Sequence, residues 1–283
     1  MRKKRKLSWV FLLILVLWII LDNNIFELNT YTISSREIPG DFSGFRIAHV
    51  SDFHNTQFWP ENQRLIALLD EANPDIIVIT GDFADSRRTN ISVAADFAAA
   101  AAAIAPCYYV TGNHEARLPS HVYSELEAAL LQAEVTVLHN DSSILRRGTS
   151  HIVLSGLDDP SFGRHAGLPF PLPGTDLQSS ELSPGDSYQI LLSHRPELFG
   201  QYVQAGFDLV FSGHAHGGQF RLPLVGGLYA PNQGFLPKYD SGLYTEGSTN
   251  MLLSRGIGNS AFPFRFHNRP EIILAILDHI SEP

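Results

Sequence analysis

The stretch Asp75-Ile76-Ile77-Val78-Ile79-Thr80-Gly81-Asp82 decides the fold. Consecutive β-branched apolar residues in so short a run read as a strand buried on both faces. Gly81 then permits a tight turn out of the strand and presents Asp82 at its end. Upstream, Glu61 to Ala72 has helical spacing, with Leu65, Leu68 and Leu69 on one face, and Pro74 stops it. The same pattern recurs on either side. Phe45 to Ser51 reads as a strand running into Asp52-Phe53-His54, and Tyr108 to Thr111 as one running into Gly112-Asn113-His114-Glu115. An alanine-rich helix over Val93 to Ala105, a helix over Ser120 to Ala133 and a strand over Val135 to Leu138 complete the first half. This β-α-β-α-β alternation predicts an α/β fold with a mostly parallel sheet and helices on its faces.

The second half differs. Ile144-Leu145, Ile152 to Ser155, Ile190 to Ser193, Leu209 to Ser212, Met251 to Ser254 and Ile272 to Leu277 read as strands, with one helix between them over Pro196 to Ala205. The Pro/Gly-rich stretch from Pro160 to Gly185 reads as a lid or rim, and Phe162 to Phe170 could line an apolar path or anchor that loop.

Five strand ends deliver Asp, His and Asn: Asp52 with His54, Asp82, Asn113 with His114, His194, and His214 with His216. In open α/β sheets the ligand site lies outside the carboxyl ends of the strands, so these residues converge. Mixed carboxylate, imidazole and amide donors without thiolates suit divalent Mn, Fe or Zn in a catalytic site. Any one of these histidines alone would be ordinary; the ordered set is not. Arg195 and Arg221 are weaker candidates for phosphate contacts, because a guanidinium also pairs readily with a surface acid. Glu115 or Asp158 could orient a ligand histidine. His121, His139, His151, His165, His267 and His279 read as ordinary.

The whole chain of 283 residues carries a net charge of −9, yet five of its twenty basic residues are Arg2 to Lys6, so the body is more acidic still. Such a body is a poor general binder of nucleic acid, which disfavours a nuclease. The single cysteine, Cys107, lies in an apolar run and excludes an intrachain disulfide.

After the basic cluster, Leu7 to Leu21 is apolar apart from Ser8, and Asp22 ends the run. At about 15 residues it is short against the ~20 of a spanning helix, a length that also suits a signal peptide. No small-residue cleavage site follows before Ser34, so the expectation is an uncleaved single-pass anchor. The expected organisation is a cytoplasmic tail over residues 1–6, a transmembrane anchor over 7–22, a linker over 23–43 and a catalytic domain over 44–280. The positive-inside rule puts that domain on the extracytoplasmic side of the cell membrane.

Taken in order, these motifs resemble those of the calcineurin-like metallophosphoesterase superfamily over residues 44 to 277. Gly213-His214-Ala215-His216-Gly217-Gly218-Gln219-Phe220-Arg221-Leu222-Pro223, with Arg269-Pro270-Glu271, is similar to its bacterial membrane-anchored or exported phosphodiesterase branch. The resemblance implies a four-layer α/β/β/α sandwich. It implies one metal held by Asp52, His54 and His216, a second held by Asn113, His194 and His214, and Asp82 bridging them. His114 would stand beside the scissile phosphate as general acid or charge stabiliser. Two such cations clamp phosphoryl oxygens and bring the pKa of a bridging water toward neutrality. The expected function is therefore hydrolysis of a phosphoester, a diester before a monoester, on a substrate that is small, membrane-associated or lipid-linked. The alternatives are a UDP-diacylglucosamine-type pyrophosphohydrolase, which the predicted orientation weakens, and a metal-stabilised surface protein that binds a phosphate ligand or a partner without turnover. A general acid at His114 argues against the last, since binding does not require one.

Overall fold

The computed structural model describes residues 2–162, 187–259 and 261–281. Helix α1 (Arg2–Asp22) is followed by strands β1 (Glu27–Ser35), β2 (Arg46–Val50), β3 (Ile76–Thr80), β4 (Cys107–Val110) and β5 (Thr136–Val137), with helices α2 (Gln63–Glu71), α3 (Ile91–Ala102) and α4 (Ser120–Gln132) between them. The second half supplies β6 (Asp141–Arg147), β7 (Ser150–Gly156), β8 (Gln189–Leu192), helix α5 (Phe199–Gln204) and β9 (Leu209–Ser212). Two short hairpins follow, β10 (Arg221–Leu222) with β11 (Gly226–Gly227) and β12 (Tyr229–Ala230) with β13 (Gly234–Phe235). Then come β14 (Gly242–Glu246), β15 (Thr249–Leu253) and β16 (Glu271–His279).

Two six-stranded sheets form, ordered β1-β16-β2-β3-β4-β5 and β14-β15-β9-β8-β7-β6. Strands β2 to β5 run parallel, as do β7, β8, β9 and β15. Alternation along β3 shows why its run is apolar throughout. Ile77 and Ile79 pack under the helices with Leu65, Leu69, Phe97 and Leu126, whereas Ile76 and Val78 face the second sheet with Ile152, Leu154, Ile190 and Phe211. The outer face of the second sheet packs Leu191, Val210 and Met251 against Phe199 and Tyr202. The layers therefore run helices, sheet, sheet, then a thin outer cover that includes α5.

Three features differ from the sequence expectation. The segment read as a linker over 23–43 contains β1, paired in parallel with β16, and buries Ile33, Ile38 and Phe42. Its alternating Leu28, Thr30, Thr32 pattern is that of an edge strand, too polar to stand out as a core run. Second, the C-terminal strand β16 enters the first sheet antiparallel to β2, a pairing that no local pattern announces. Third, the spanning helix expected over 7–22 is not found: among the described residues no helix is long and apolar enough to cross a membrane. Helix α1 has 21 residues, but its apolar part rises about 22 Å against a hydrocarbon core of ~30 Å. Its C-terminal end is docked, with Trp18 packing edge-on to Phe266 and Asn23 donating to the Arg265 carbonyl. Most of the lid stretch, with His165 and Leu168 to Phe170, lies outside the described residues. Phe162 at its start packs against Tyr123.

Candidate metal centre

The carboxyl ends of β2, β3 and β4 in one sheet meet those of β8 and β9 in the other. Asp52, His54, Asp82, Asn113, His114, His194, His214 and His216 all lie there and are all buried. The chain leaves these strands sharply. Asp52, His54, Asp82, His214 and His216 adopt φ between 48° and 69°, the left-handed region that non-glycine residues avoid. Strain of this kind persists where the surroundings over-determine it, and it clusters at functional sites. Gly213 shows the crowding, because a Cβ there would collide with the Ser51 hydroxyl and the Asp52 carboxylate.

Two donor clusters share one residue. Asp52, His54, Asp82 and His216 form the first, and Asp82, His194 and His214 the second, with the donor atoms of each within 4.8 Å of one another. His54 Nε2 faces His216 Nε2 at 3.2 Å, and His194 Nε2 faces His214 Nδ1 at 3.2 Å. Asp82 Oδ2 lies 3.7 Å from His54 Nε2 and 3.3 Å from His194 Nε2. Asn113 turns one end of its amide to His214 Nδ1 at 2.8 Å and the other to Arg117. Imidazole nitrogens that crowd one another around shared carboxylates have no mutual use for their lone pairs, and a cation between them satisfies both. The donor set therefore fits divalent metals.

Burial favours the neutral ring in three of the four cluster histidines. Burial holds His54 and His214 well below the ordinary imidazole range and lowers His216, which leaves neutral rings able to ligate. His194 Nδ1 donates to the Thr80 carbonyl at 2.7 Å, so its Nε2 is the nitrogen aimed at the cluster. Burial opposes charge on His194 too, but the adjacent Asp82 carboxylate carries it up to about 10. Burial alone would raise Asp82, yet the histidines around it, His194 first, hold it well below the carboxylate range.

His114 sits beside the clusters, its Nε2 4.0 Å from Asp82 Oδ2. The Ser86 amide donates to its Nδ1 at 3.1 Å, which places the proton of the neutral ring on Nε2, toward the cleft. Its Nδ1 also lies 3.7 Å from Asp85 Oδ1, and the other oxygen of that carboxylate lies 3.8 Å from His54 Nδ1. Asp85 thus stands behind both rings, which the sequence reading missed.

Other expectations resolve differently. Glu115 serves backbone amides. It is buried and accepts the backbone amides of Asp82, Ala84 and Gly112 at 2.9, 2.9 and 2.8 Å, pinning the two turns that carry Asp82 and Asn113. Burial and the Asp82 carboxylate push it up to about 7. Asp158 binds His139 and Thr111 instead of a cluster histidine. Arg195 lines the cleft, with its guanidinium committed to Asp159 through Nε and Nη2 and reaching His214 Nε2 at 3.1 Å. Arg221 lies in a neighbouring hollow, where it pairs with Asp240 at 3.0 Å and donates to the Gly217 carbonyl. Arg265, fully buried, reaches toward His216 Nδ1 at 3.5 Å while donating to the Arg255 carbonyl.

The cleft over the clusters holds about 1010 Å³. Arg87, Arg117 and Arg195 line it, as do Phe220, Phe235 and Phe262, with Phe220 packed edge-on to Phe262. The sequence reading missed Arg87 and Arg117, since each lies a few residues past a motif in a loop with no period of its own.

Such a site, at the facing edges of two sheets, is that of a metal-dependent phosphoesterase, and residues 45–218 match the calcineurin-like phosphoesterase family, to which this chain belongs. It is 32% identical to the uncharacterized metallophosphoesterase YkuE of Bacillus subtilis, over 91% of this chain and 87% of that one. It is 29% identical to the phosphodiesterase YaeI of Escherichia coli, over 81% of each. Among solved structures, TT1561 of Thermus thermophilus shares the fold with a TM-score of 0.51 at 13% identity, covering 76% of this chain and 91% of that one. Enzymes of this family use divalent metals, and the buried His/Asp clusters are where this chain could hold them.

Proposed function

We propose that this protein is a two-metal phosphoester hydrolase that prefers diesters. The observation carrying this is the pair of buried donor clusters that share Asp82, with the His114 Nε2 proton beside them. Asp52, His54 and His216 would hold one cation, Asn113, His194 and His214 the other, and Asp82 both, with Mn, Fe or Zn suited to the donors. When bound, the cations supply the charge that clamps phosphoryl oxygens and acidifies water. The chain's own groups do the rest. Arg87 and Arg117 draw an anionic ester into the cleft. His114 would aim its Nε2 hydrogen at the scissile phosphate and stabilise the charge that develops on the departing oxygen, which takes its proton from water. The 29% identity to a protein named a phosphodiesterase supports the diester preference. The basic residues before the apolar run, and the exposed apolar side chains of α1, support attachment of the domain to the surface of the cell membrane.

The test is hydrolysis of bis-p-nitrophenyl phosphate and p-nitrophenyl phosphate by the full chain in detergent, supplied in turn with Mn, Zn, Fe and Ni. Turnover should require metal, favour the diester, collapse in Asp82→Asn and fall about 100-fold or more in His114→Ala. Two metals bound per chain with no turnover, and wild type indistinguishable from His114→Ala, would overturn the hydrolase and leave a binding protein.

A further inference from the structure

Beyond the apolar residues of the cleft stand further exposed apolar side chains. Leu224 and Val225 form the tip of the β10-β11 hairpin, Phe235 and Leu236 end the β12-β13 hairpin, and Phe262 and Phe264 occupy the loop before β16. Leu224 is fully exposed, and Phe235 and Leu236 are 82% and 63% exposed. Monomeric proteins rarely expose contiguous apolar surface of this kind without a partner.

The segments that carry these tips are joined at their bases. Phe220, which leads into the first hairpin, packs against both Phe262 and Phe264. The Leu236 amide donates to the Leu228 carbonyl, and the Leu228 amide to the Phe220 carbonyl, which ties the second hairpin to the first. Leu222 and Leu224 share a hollow with Trp18 of α1, and Trp18 packs on Phe266. The rim of the cleft is thus continuous with α1, whose Trp9, Val10, Leu13, Ile14, Leu17 and Ile20 are also exposed.

Backbone conformation gives a second, independent sign. Leu224 and Leu236 sit at φ +67° and +52°. A leucine in that region is strained, and glycine or asparagine normally takes such a turn position. An exposed leucine gains no burial within the monomer that would offset the strain.

We infer that the cleft rim is a membrane-seating surface: Leu224-Val225, Phe235-Leu236 and Phe262-Phe264 enter the interface of a lipid bilayer beside α1. The bilayer is the occupant that fits, because the adjoining helix presents the same kind of apolar surface behind a basic cluster and is too short to cross ~30 Å by itself. Tips that dip in at the rim hold the metal clusters facing the headgroup layer. Resting on the hydrolase proposed above, this geometry suits a phosphoester presented by an amphiphile, with its polar part toward Arg87 and Arg117 and its apolar part along Phe220 and Phe262. The seating itself does not depend on catalysis.

The experiment places an environment-sensitive dye on the full chain. Cys107 is buried at 2% exposure, so thiol labelling is directed to an introduced cysteine. Leu224→Cys and Leu236→Cys report the rim. Arg146→Cys, near the exposed turn between β6 and β7 and away from the strand ends that carry the site, is the control. Each labelled chain is reconstituted in phosphatidylcholine/phosphatidylglycerol vesicles with and without a nitroxide on the acyl chains. Emission at 224 and 236 should shift to the blue and lose about half its intensity to the nitroxide lipid, as expected for groups ~5–10 Å into the interface, while 146 stays water-like. Water-like emission at 224 and 236 in vesicles that retain the protein would overturn the inference. A blue shift without nitroxide quenching would also overturn it, by showing that the tips meet a second copy of the chain. Neither outcome touches the hydrolase, which soluble esters test separately. Leu224→Gly should unfold at the same temperature as wild type or higher, because it relieves strain and removes no buried contact.

Discussion

Glu115 should be the most sensitive residue of the centre that touches neither metal nor substrate. Its carboxylate accepts three buried backbone amides, from Asp82, Ala84 and Gly112, at 2.8 to 2.9 Å. Glu115→Ala leaves all three donors without their carboxylate in a place closed to bulk solvent, since Glu115 itself is 1% exposed. An orphaned buried donor costs about 1–3 kcal/mol, and three that share one acceptor are not independent, so the loss is roughly 3–6 kcal/mol. For a chain of this size that lowers the unfolding temperature by roughly 10–20 °C. Glu115→Gln keeps an oxygen for two of the amides and turns an NH2 group toward the third, so its loss is smaller, about 1–3 kcal/mol. Thermal unfolding of the full chain in detergent, with metal content measured on the same samples, reads both effects. The order wild type, Gln, Ala should hold for stability and for metals retained, since the pinned turns carry Asp82 and Asn113. An alanine variant within about 1 kcal/mol of wild type, with full metal content, would refute the argument that these hydrogen bonds hold the site together.

Two further expectations concern pH. His49 is fully buried between the sheets, with Nε2 2.7 Å from Thr80 Oγ1, and burial lowers it to about 3. The unfolded chain takes up that proton near pH 6.5 and the folded chain does not, so stability falls as pH drops below 6.5. In His49→Leu the fall between about pH 6.5 and pH 4 should be shallower, and a parallel curve would show that other groups set the acid limb. His139 has the opposite sign. Its hydrogen bond to Asp158, with Glu127 on its other nitrogen, raises it to about 9 against the pull of burial. Its contribution is complete below its unfolded value of 6.5 and disappears as pH rises through about 9. His139→Gln should therefore lower the unfolding temperature more at about pH 6 than at about pH 10; an equal loss at both would point to packing instead of charge.

How much of the site could be read in advance depends on where each residue sits. Asp52, His54, Asp82, Asn113, His114, His194, His214 and His216 stand at the ends of apolar runs, often beside a glycine, and strand ends on one edge of a sheet must lie near one another. Asp85, Asp159, Arg87, Arg117 and Arg265 reach the same place from loops, where no period ties position to direction. Glu115 stood in plain view beside His114, but its partners are backbone amides, which leave no trace in side-chain identity. His49 was hidden inside a strand whose alternation only the second sheet completes.

The sequence by itself determined the elements: buried β-branched runs, alanine- and leucine-bearing helices with proline stops, and an ordered set of metal-binding side chains, because these follow from local periodicity and chemistry. Tertiary structure alone decided that β16 enters the first sheet beside β2, and that the segment after α1 is an edge strand. It also decided that Asp82 belongs to both donor clusters, and that an apolar rim of strained leucines borders the cleft. Each of these rests on contacts between residues far apart in the chain, and the free energy of such contacts depends on geometry that neither partner encodes alone.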